Sequence, residues 1–157
     1  MKLKFLSFIA AALLLSGCAS DKDMSASDSS STNSGSSAAP GSVEDFQVNV
    51  GDRVFFDYDS YEIRADAQDT LNRQAAWLGQ YGNYAITVEG HCDERGTREY
   101  NLALGERRAN AVRNYLVAQG VDPNRVQTIS YGKERPEIAD SNESAWAQNR
   151  RGVTVLQ

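Results

Sequence analysis

Apolar positions divide the chain into three regimes. A mostly apolar run over residues 5–15 follows Lys2 and Lys4, residues 20–42 carry almost no large apolar side chain, and beyond Val43 apolar and polar residues recur at regular spacing. In the third regime 54–57 reads as a first strand. Within Ala65–Gln80 the residues Ala67, Leu71, Ala75 and Leu78 share one side at helical spacing, and Gly79 and Gly82 mark the end. Residues 85–89 alternate, with Ile86 and Val88 on one face. A loop over 91–97 leads into a long helix from about 98 to 119, stopped by Gly120 and turned by Asp122-Pro123-Asn124. A third strand spans 126–131, a short helix Glu143–Asn149, and a last strand 152–156. Strands alternating with helices predict an α/β sandwich, and the pattern leaves open whether all strands are parallel.

The first apolar run is too short to cross a bilayer and reads as a secretory signal. It ends in Leu15-Ser16-Gly17-Cys18, which resembles the lipobox of bacterial lipoproteins. That resemblance implies a leader over 1–17, diacylglycerol on the Cys18 thiol and an acylated Cys18 amine. The alternative is an incidental cysteine beside an ordinary cleavage site. Ala19, where an aspartate would signal inner-membrane retention, implies the outer membrane, with the folded part facing the periplasm. Several acyl chains, each contributing about 0.8 kcal/mol per buried methylene, make such an anchor stable.

Residues 20–42 contain ten serines and no aromatic side chain. Such a segment buries too little apolar surface to offset its ordering entropy. Residues 18–45 are therefore read as a lipidated cysteine and flexible linker, and 46–157 as one folded domain. Thirty linker residues would have a typical end-to-end distance of roughly 30 Å and a taut reach of roughly 100 Å.

The 157-residue chain carries a net charge of −5, and loss of the leader would remove Lys2 and Lys4 but no acid. With no basic stripe to neutralise phosphates, a nucleic-acid partner is not expected. Beyond Cys18 one cysteine remains, Cys92, so no internal disulfide is available. Cys92 reads as a small buried residue, with a reactive thiol as the alternative.

The sharpest local signal is Arg108. At about 100° per residue it lies about 40° from Leu104 on the long helix, inside the stripe that also holds Ala111, Tyr115 and Val112. Asn101 lies two turns earlier on the same side, whereas Glu106, Arg107, Arg113 and Asn114 project outward. A guanidinium among apolar neighbours demands a carboxylate or another acceptor. Asp93 opens the preceding loop, just past a strand end, where ligands gather in α/β folds. Two readings stay open. Asp93 and Arg108 either pair with each other and brace the loop, or together meet a ligand carrying both an ammonium and a carboxylate. Gly96 is expected to supply a backbone turn. Gly105, in mid-helix, marks either close approach of a ligand or tight packing on the sheet.

The run Val88-Glu89-Gly90-His91-Cys92-Asp93-Glu94-Arg95-Gly96-Thr97, with Glu99-Tyr100-Asn101-Leu102-Ala103-Leu104-Gly105-Glu106-Arg107-Arg108-Ala109, closely resembles the family that shares the C-terminal domain of outer-membrane protein A, and within it the peptidoglycan-associated lipoproteins. Phe55-Phe56-Asp57, Ser130-Tyr131-Gly132-Lys133-Glu134-Arg135-Pro136 and Asn149-Arg150-Arg151 extend the resemblance over roughly residues 50–157. It implies a mixed four-stranded sheet in a βαβαβ(α)β order with helices on one face. It also implies non-covalent binding of peptidoglycan through meso-diaminopimelate of the stem peptide. Asp93 and Arg108 match the acid and arginine that would clasp the ammonium and carboxylate, and Asn101 the asparagine that would shape the loop. Phe56 and Asp57 match the strand end where family members offer backbone amides. Arg150 matches an arginine that borders the pocket or packs on the sheet. Partners implied are TolB and the other Tol proteins, with a role in envelope integrity and cell division. No cofactor is expected.

Three rivals compete. A metal site at His91, Cys92, Asp93 and Glu94 would need consecutive residues to converge on one ion, with no second cluster to complete the shell. His91 reads instead as a packed or hydrogen-bonded loop residue. A wall hydrolase would need Asp93 and Glu94 as paired carboxylates, or His91 with Cys92 as a thiol pair. A flagellar stator subunit would need a membrane-spanning helix, which this sequence does not offer. The expectation is a binding protein without enzymatic activity.

Overall fold

A computed structural model describes residues 38–157. The expected leader, Cys18 and most of the expected linker lie outside the described residues. Four strands form one sheet in the order β1-β4-β2-β3: β1 (Arg53–Phe55), β2 (Ile86–His91), β3 (Val126–Gly132) and β4 (Arg151–Leu156). β4 runs antiparallel to both β1 and β2, while β2 and β3 are parallel. The sheet is thus mixed, and the last strand of the chain is inserted between the first two.

The helices α2 (Ala65–Gln80) and α3 (Arg98–Ala118) pack on one face of the sheet. Alternation along the strands sets that face. Val54, Ile86, Val88 and Thr154 are buried beneath the helices, whereas Arg53, Phe55, Thr87, Glu89, Val153 and Val155 are half-exposed on the other side. From α2 come Leu71 and Leu78, from α3 Val112 and Leu116, and all four are fully buried. Each such side chain contributes roughly 1.5–3 kcal/mol through burial. One polar residue joins this core: Gln74 donates to the Gly51 carbonyl at 2.6 Å and accepts from the Thr154 hydroxyl at 2.9 Å. It pins α2 to β4 without leaving a buried amide unpaired.

Helix α3 owes its length to good signals at both ends. The Thr97 hydroxyl accepts from the Tyr100 amide at 3.2 Å, an N-cap. At the other end Gly120 takes φ +102°. The Val121 amide reaches back to the Leu116 carbonyl at 3.1 Å and the Gly120 amide to Val117 at 2.9 Å, a Schellman closure. Between them α3 lies backbone-to-backbone on the sheet. A Cβ on Gly90 would collide with the Gly105 carbonyl, and one on Gly105 with the Ser130 hydroxyl. Of the two explanations for Gly105, packing on the sheet is the observed one.

The folded region starts before residue 46. A helical turn, α1 (Val43–Asp45), runs into a π-helical stretch, Phe46–Gly51. The Asp45 carboxylate accepts from the Gly41 amide at 2.9 Å and from the Trp77 indole at 2.8 Å, and Tyr84 donates to the Gly41 carbonyl at 2.9 Å. Residues 41–45, counted with the linker on composition, are therefore docked by polar contacts that hydrophobicity does not register. The short helix α4 (Glu143–Asn149) precedes β4, capped by Asn142, which accepts from the Ala145 amide at 2.9 Å.

Candidate functional site

Beyond the C-terminal end of β2 the chain turns through 92–97, entering the first turn of α3 under the control of Asn101. This asparagine is buried and donates to the carbonyls of Arg95 at 2.8 Å and Thr97 at 3.0 Å. Gly96 makes the bend at φ +91°, as expected of a residue without a side chain. The loop folds over a cleft of about 250 Å³ lined by Tyr58, Asp59, Cys92, Asp93, Arg95, Gly96, Tyr100, Asn101, Leu104 and Arg108. Asp93, Asn101 and Arg108 thus share one cleft.

Arg108 is 0% exposed. Its Nε donates to Ser60 O at 2.8 Å, Nη1 to His91 O at 2.8 Å and Nη2 to Asp57 O at 3.1 Å. All three acceptors are main-chain carbonyls, and Arg108 forms no salt bridge among the described residues. Burial pushes its pKa below the ordinary guanidinium value, with the nearby Asp93 charge opposing. A guanidinium nevertheless stays protonated. The Phe56 ring lies 5.1 Å from its central carbon.

Asp93 is also buried, and its partners are Arg95 and Arg150. Of the two readings left open, the brace between Asp93 and Arg108 is not formed. Burial alone would raise the Asp93 pKa, but the Arg95 side chain and amide, with Arg150, hold the carboxyl below its usual range.

The other expected residues stand behind the cleft. The Phe56 amide, expected to be offered to a ligand, instead donates to Arg150 O at 2.9 Å inside the fold, and Phe56 O accepts from Arg150 Nε at 3.1 Å. Asp57 contributes its carbonyl to Arg108, while its side chain is exposed and pairs with Arg64 at 3.1 Å. Arg150 is buried and reaches Asp93 at 3.4 Å and Glu143 at 2.9 Å. It neither lines the cleft nor simply packs on the sheet; it backs the Asp93 carboxylate.

Burial pushes the Cys92 thiol up to about 11, and its Sγ lies 3.3 Å from the Asn101 carbonyl. A thiol so raised is protonated at neutral pH and a poor nucleophile. His91 ends β2, buried, with Nε2 3.3 Å from Glu89 and its ring tilted 34° to that of Tyr131 at a centroid distance of 5.5 Å. Among the described residues no three His, Cys, Asp or Glu side chains come together as a metal site would require. Glu94 is exposed, its carboxyl lowered by hydrogen bonds from Ser141 and Trp146. Neither Asp93 nor Glu94 is held protonated, as the acid of a glycosidase pair must be.

Sequence reasoning missed Tyr58, Asp59, Tyr100 and Arg95. Tyr100 donates to the Asp59 carboxylate across the cleft mouth, and Asp59 sits at φ +52°, rare outside glycine. An aromatic and an acid in a loop next to the first strand were the only trace of this in the sequence.

The model of the OmpA family matches residues 55–150, a span that contains Asp93, Asn101, Arg108 and Arg150. The peptidoglycan-associated lipoprotein of Rhizobium meliloti is 63% identical over 145 residues, covering 92% of this chain and 82% of the relative. The chain belongs to the OmpA family, among its peptidoglycan-associated lipoproteins. A crystal structure of the peptidoglycan-associated lipoprotein from Burkholderia pseudomallei matches with TM-score 0.66 at 43% identity, over 68% of this chain and 90% of that one. The C-terminal domain of Helicobacter pylori MotB, 24% identical with TM-score 0.63, covers 68% of this chain and 84% of its own length and shares the fold. The mixed four-stranded sheet is therefore that of OmpA-like domains. Among the described residues no helix is long and apolar enough to cross a membrane.

Proposed function

We propose that this OmpA-like domain holds peptidoglycan non-covalently by gripping meso-diaminopimelate in the stem peptide. Arg108 takes the ligand carboxylate and Asp93 its ammonium. Asn101 keeps the loop in shape, Phe56 and Asp57 seat the Arg108 guanidinium from behind, and Arg150 backs Asp93. One observation carries this reading: a fully buried guanidinium that donates to three main-chain carbonyls, and pairs with no carboxylate among the described residues, shares a small cleft with a buried carboxylate. Main-chain carbonyls orient the guanidinium but do not neutralise it, and a ligand carboxylate would. Relatives named for peptidoglycan association and for a lipid anchor support the same assignment.

In this reading Cys18 carries the lipid, residues 18 to about 40 form the tether, and the domain faces the periplasm from the outer membrane. TolB and the other Tol proteins are its protein partners, and the chain performs no catalysis. The protonated Cys92 thiol and the ionised Asp93 and Glu94 support binding rather than turnover.

Co-sedimentation of the full chain with sacculi tests the assignment. Asp93→Asn removes the charge that meets the ammonium, and Arg108→Lys removes the planar fork that meets a carboxylate. Each variant should lose on the order of ten-fold or more in affinity while keeping a folded circular dichroism spectrum. Walls with lysine in place of diaminopimelate lack the side-chain carboxylate and should bind poorly. Undiminished binding by both folded variants, or equal binding to the two wall types, refutes the assignment. Release of soluble wall fragments would refute its non-enzymatic part.

A further inference from the structure

We propose that Arg95 guards the Asp93 carboxylate, so that a ligand ammonium enters only by displacing the Arg95 guanidinium; this rests on the diaminopimelate reading above. An ionised carboxylate offers about four lone-pair directions. At Asp93 all four have donors. Oδ1 accepts from the Arg95 amide at 3.1 Å and Arg95 Nε at 3.2 Å, and Oδ2 accepts from Arg95 Nη2 at 2.6 Å and Arg150 Nη1 at 3.4 Å.

Two of these donors are fixed. Arg150 is buried and tied to the Phe56 carbonyl and to Glu143, and the Arg95 amide belongs to the turn that Asn101 locks. The Arg95 side chain differs, being 29% exposed and able to leave. Its guanidinium lies between two aromatic rings, 4.1 Å from the centroid of Tyr58 and 4.1 Å from that of Trp146. A second anion is within reach as well: Glu143 Oε2 stands 3.7 Å from Arg95 Nη1. The guanidinium thus has another partner to turn to when Asp93 is claimed, with its stacking preserved.

The guard sets a threshold that every ligand of Asp93 must pass. A simple amine must break a bidentate ion pair and gains only Asp93 in return. A ligand that also carries a carboxylate gains Arg108 at the same moment. Affinity for every ligand that needs Asp93 is lowered to the same open fraction, so a lone cation with no second contact falls below useful affinity first. Arg95 in this sense sets the affinity threshold, acting through Asp93, while Arg108 sets the preference.

The test titrates the detergent-solubilised full chain with a stem tripeptide ending in meso-diaminopimelate and with the same tripeptide ending in lysine. Arg95→Met keeps an apolar stem between Tyr58 and Trp146 and removes the competing charge. It should bind the diaminopimelate tripeptide on the order of ten-fold tighter, if the guard is closed about nine-tenths of the time. The lysine tripeptide should gain by the same factor, so that the preference between the two, set at Arg108, is unchanged. Arg95→Lys, a weaker competitor without the fork, should fall between the two and serves if the methionine variant does not fold. Glu143→Gln, which removes the second seat, should weaken binding a few-fold. Affinity equal to or below that of the parent in folded Arg95→Met and Arg95→Lys overturns the guard. If the parent binds and Asp93→Asn does not, that outcome leaves the diaminopimelate assignment standing. A parent that binds neither tripeptide brings down both.

Discussion

The two ends of β2 are built on different physics. At the N-terminal end Trp77 packs against Phe46, Tyr81 and Tyr84 at centroid distances of 5.0, 4.6 and 5.4 Å, and the chain enters the fold at Gly41 beside them. The core of that end is held by apolar area and ring contacts, which tolerate modest changes of shape, with Asp45 and Tyr84 tying the entry turn to it. At the C-terminal end Asp93, Asn101, Arg108 and Arg150 are all buried, and each is held by directed hydrogen bonds. Buried charges stabilise little compared with well-packed apolar residues of similar size. An arrangement that costly points to recognition at one end of the strand and stability at the other.

The largest effect that would sharpen this contrast belongs to the aromatic end. Trp77→Ala should destabilise the domain by about 3–5 kcal/mol in urea titrations. Molecules that remain folded should bind sacculi as the parent does. Loss of binding by the folded fraction would break the separation between the two ends.

An intermediate effect depends on pH. The Asp93 carboxyl is lowered in the folded state. Its contribution is therefore complete above the unfolded value of about 3.9 and is lost as pH falls through the folded value. Asp93→Asn should flatten that acid limb of stability while leaving the limb above neutral pH unchanged. An unaltered acid limb would mean that Arg95 and Arg150 do not stabilise the ionised form.

The smallest effect lies at the chain's entry. Tyr84→Phe removes the bond to the Gly41 carbonyl and should cost about 1 kcal/mol. Hydrogen exchange should show it as faster exchange of the Ser42 and Phe46 amides, whose bonds to Ala39 and Ser42 close that turn. Exchange that rises across the whole domain would mean the entry segment is part of the cooperative core.

Much of this was legible in the sequence, and what was not has a physical reason. Helices α2 and α4 appear over the predicted residues, and α3 to within one; for α2 and α3 apolar spacing and the glycines Gly82 and Gly120 agree about where they run. The burial of Arg108 followed from its place on the helical wheel. Its acceptors did not, because Asp57, Ser60 and His91 contribute carbonyls, which every residue possesses. Arg95 looked like one more loop charge; its role depends on Tyr58 and Trp146, distant in sequence and joined only by the fold. The position of β4 between β1 and β2 was equally hidden, since periodicity reports which face is buried and not which strand is the neighbour.

The strand directions have a mechanical consequence. β1 and β2 point the same way, both antiparallel to β4, with the chain's entry near the start of β2 and the cleft beyond its end. If the cleft holds the wall as proposed, tension between it and the chain ahead of Gly41 runs lengthwise along the strands. The ladder bonds would be sheared together, not unzipped singly, so the part that resists force is the central sheet and the part that yields first is the docked turn at 41–45.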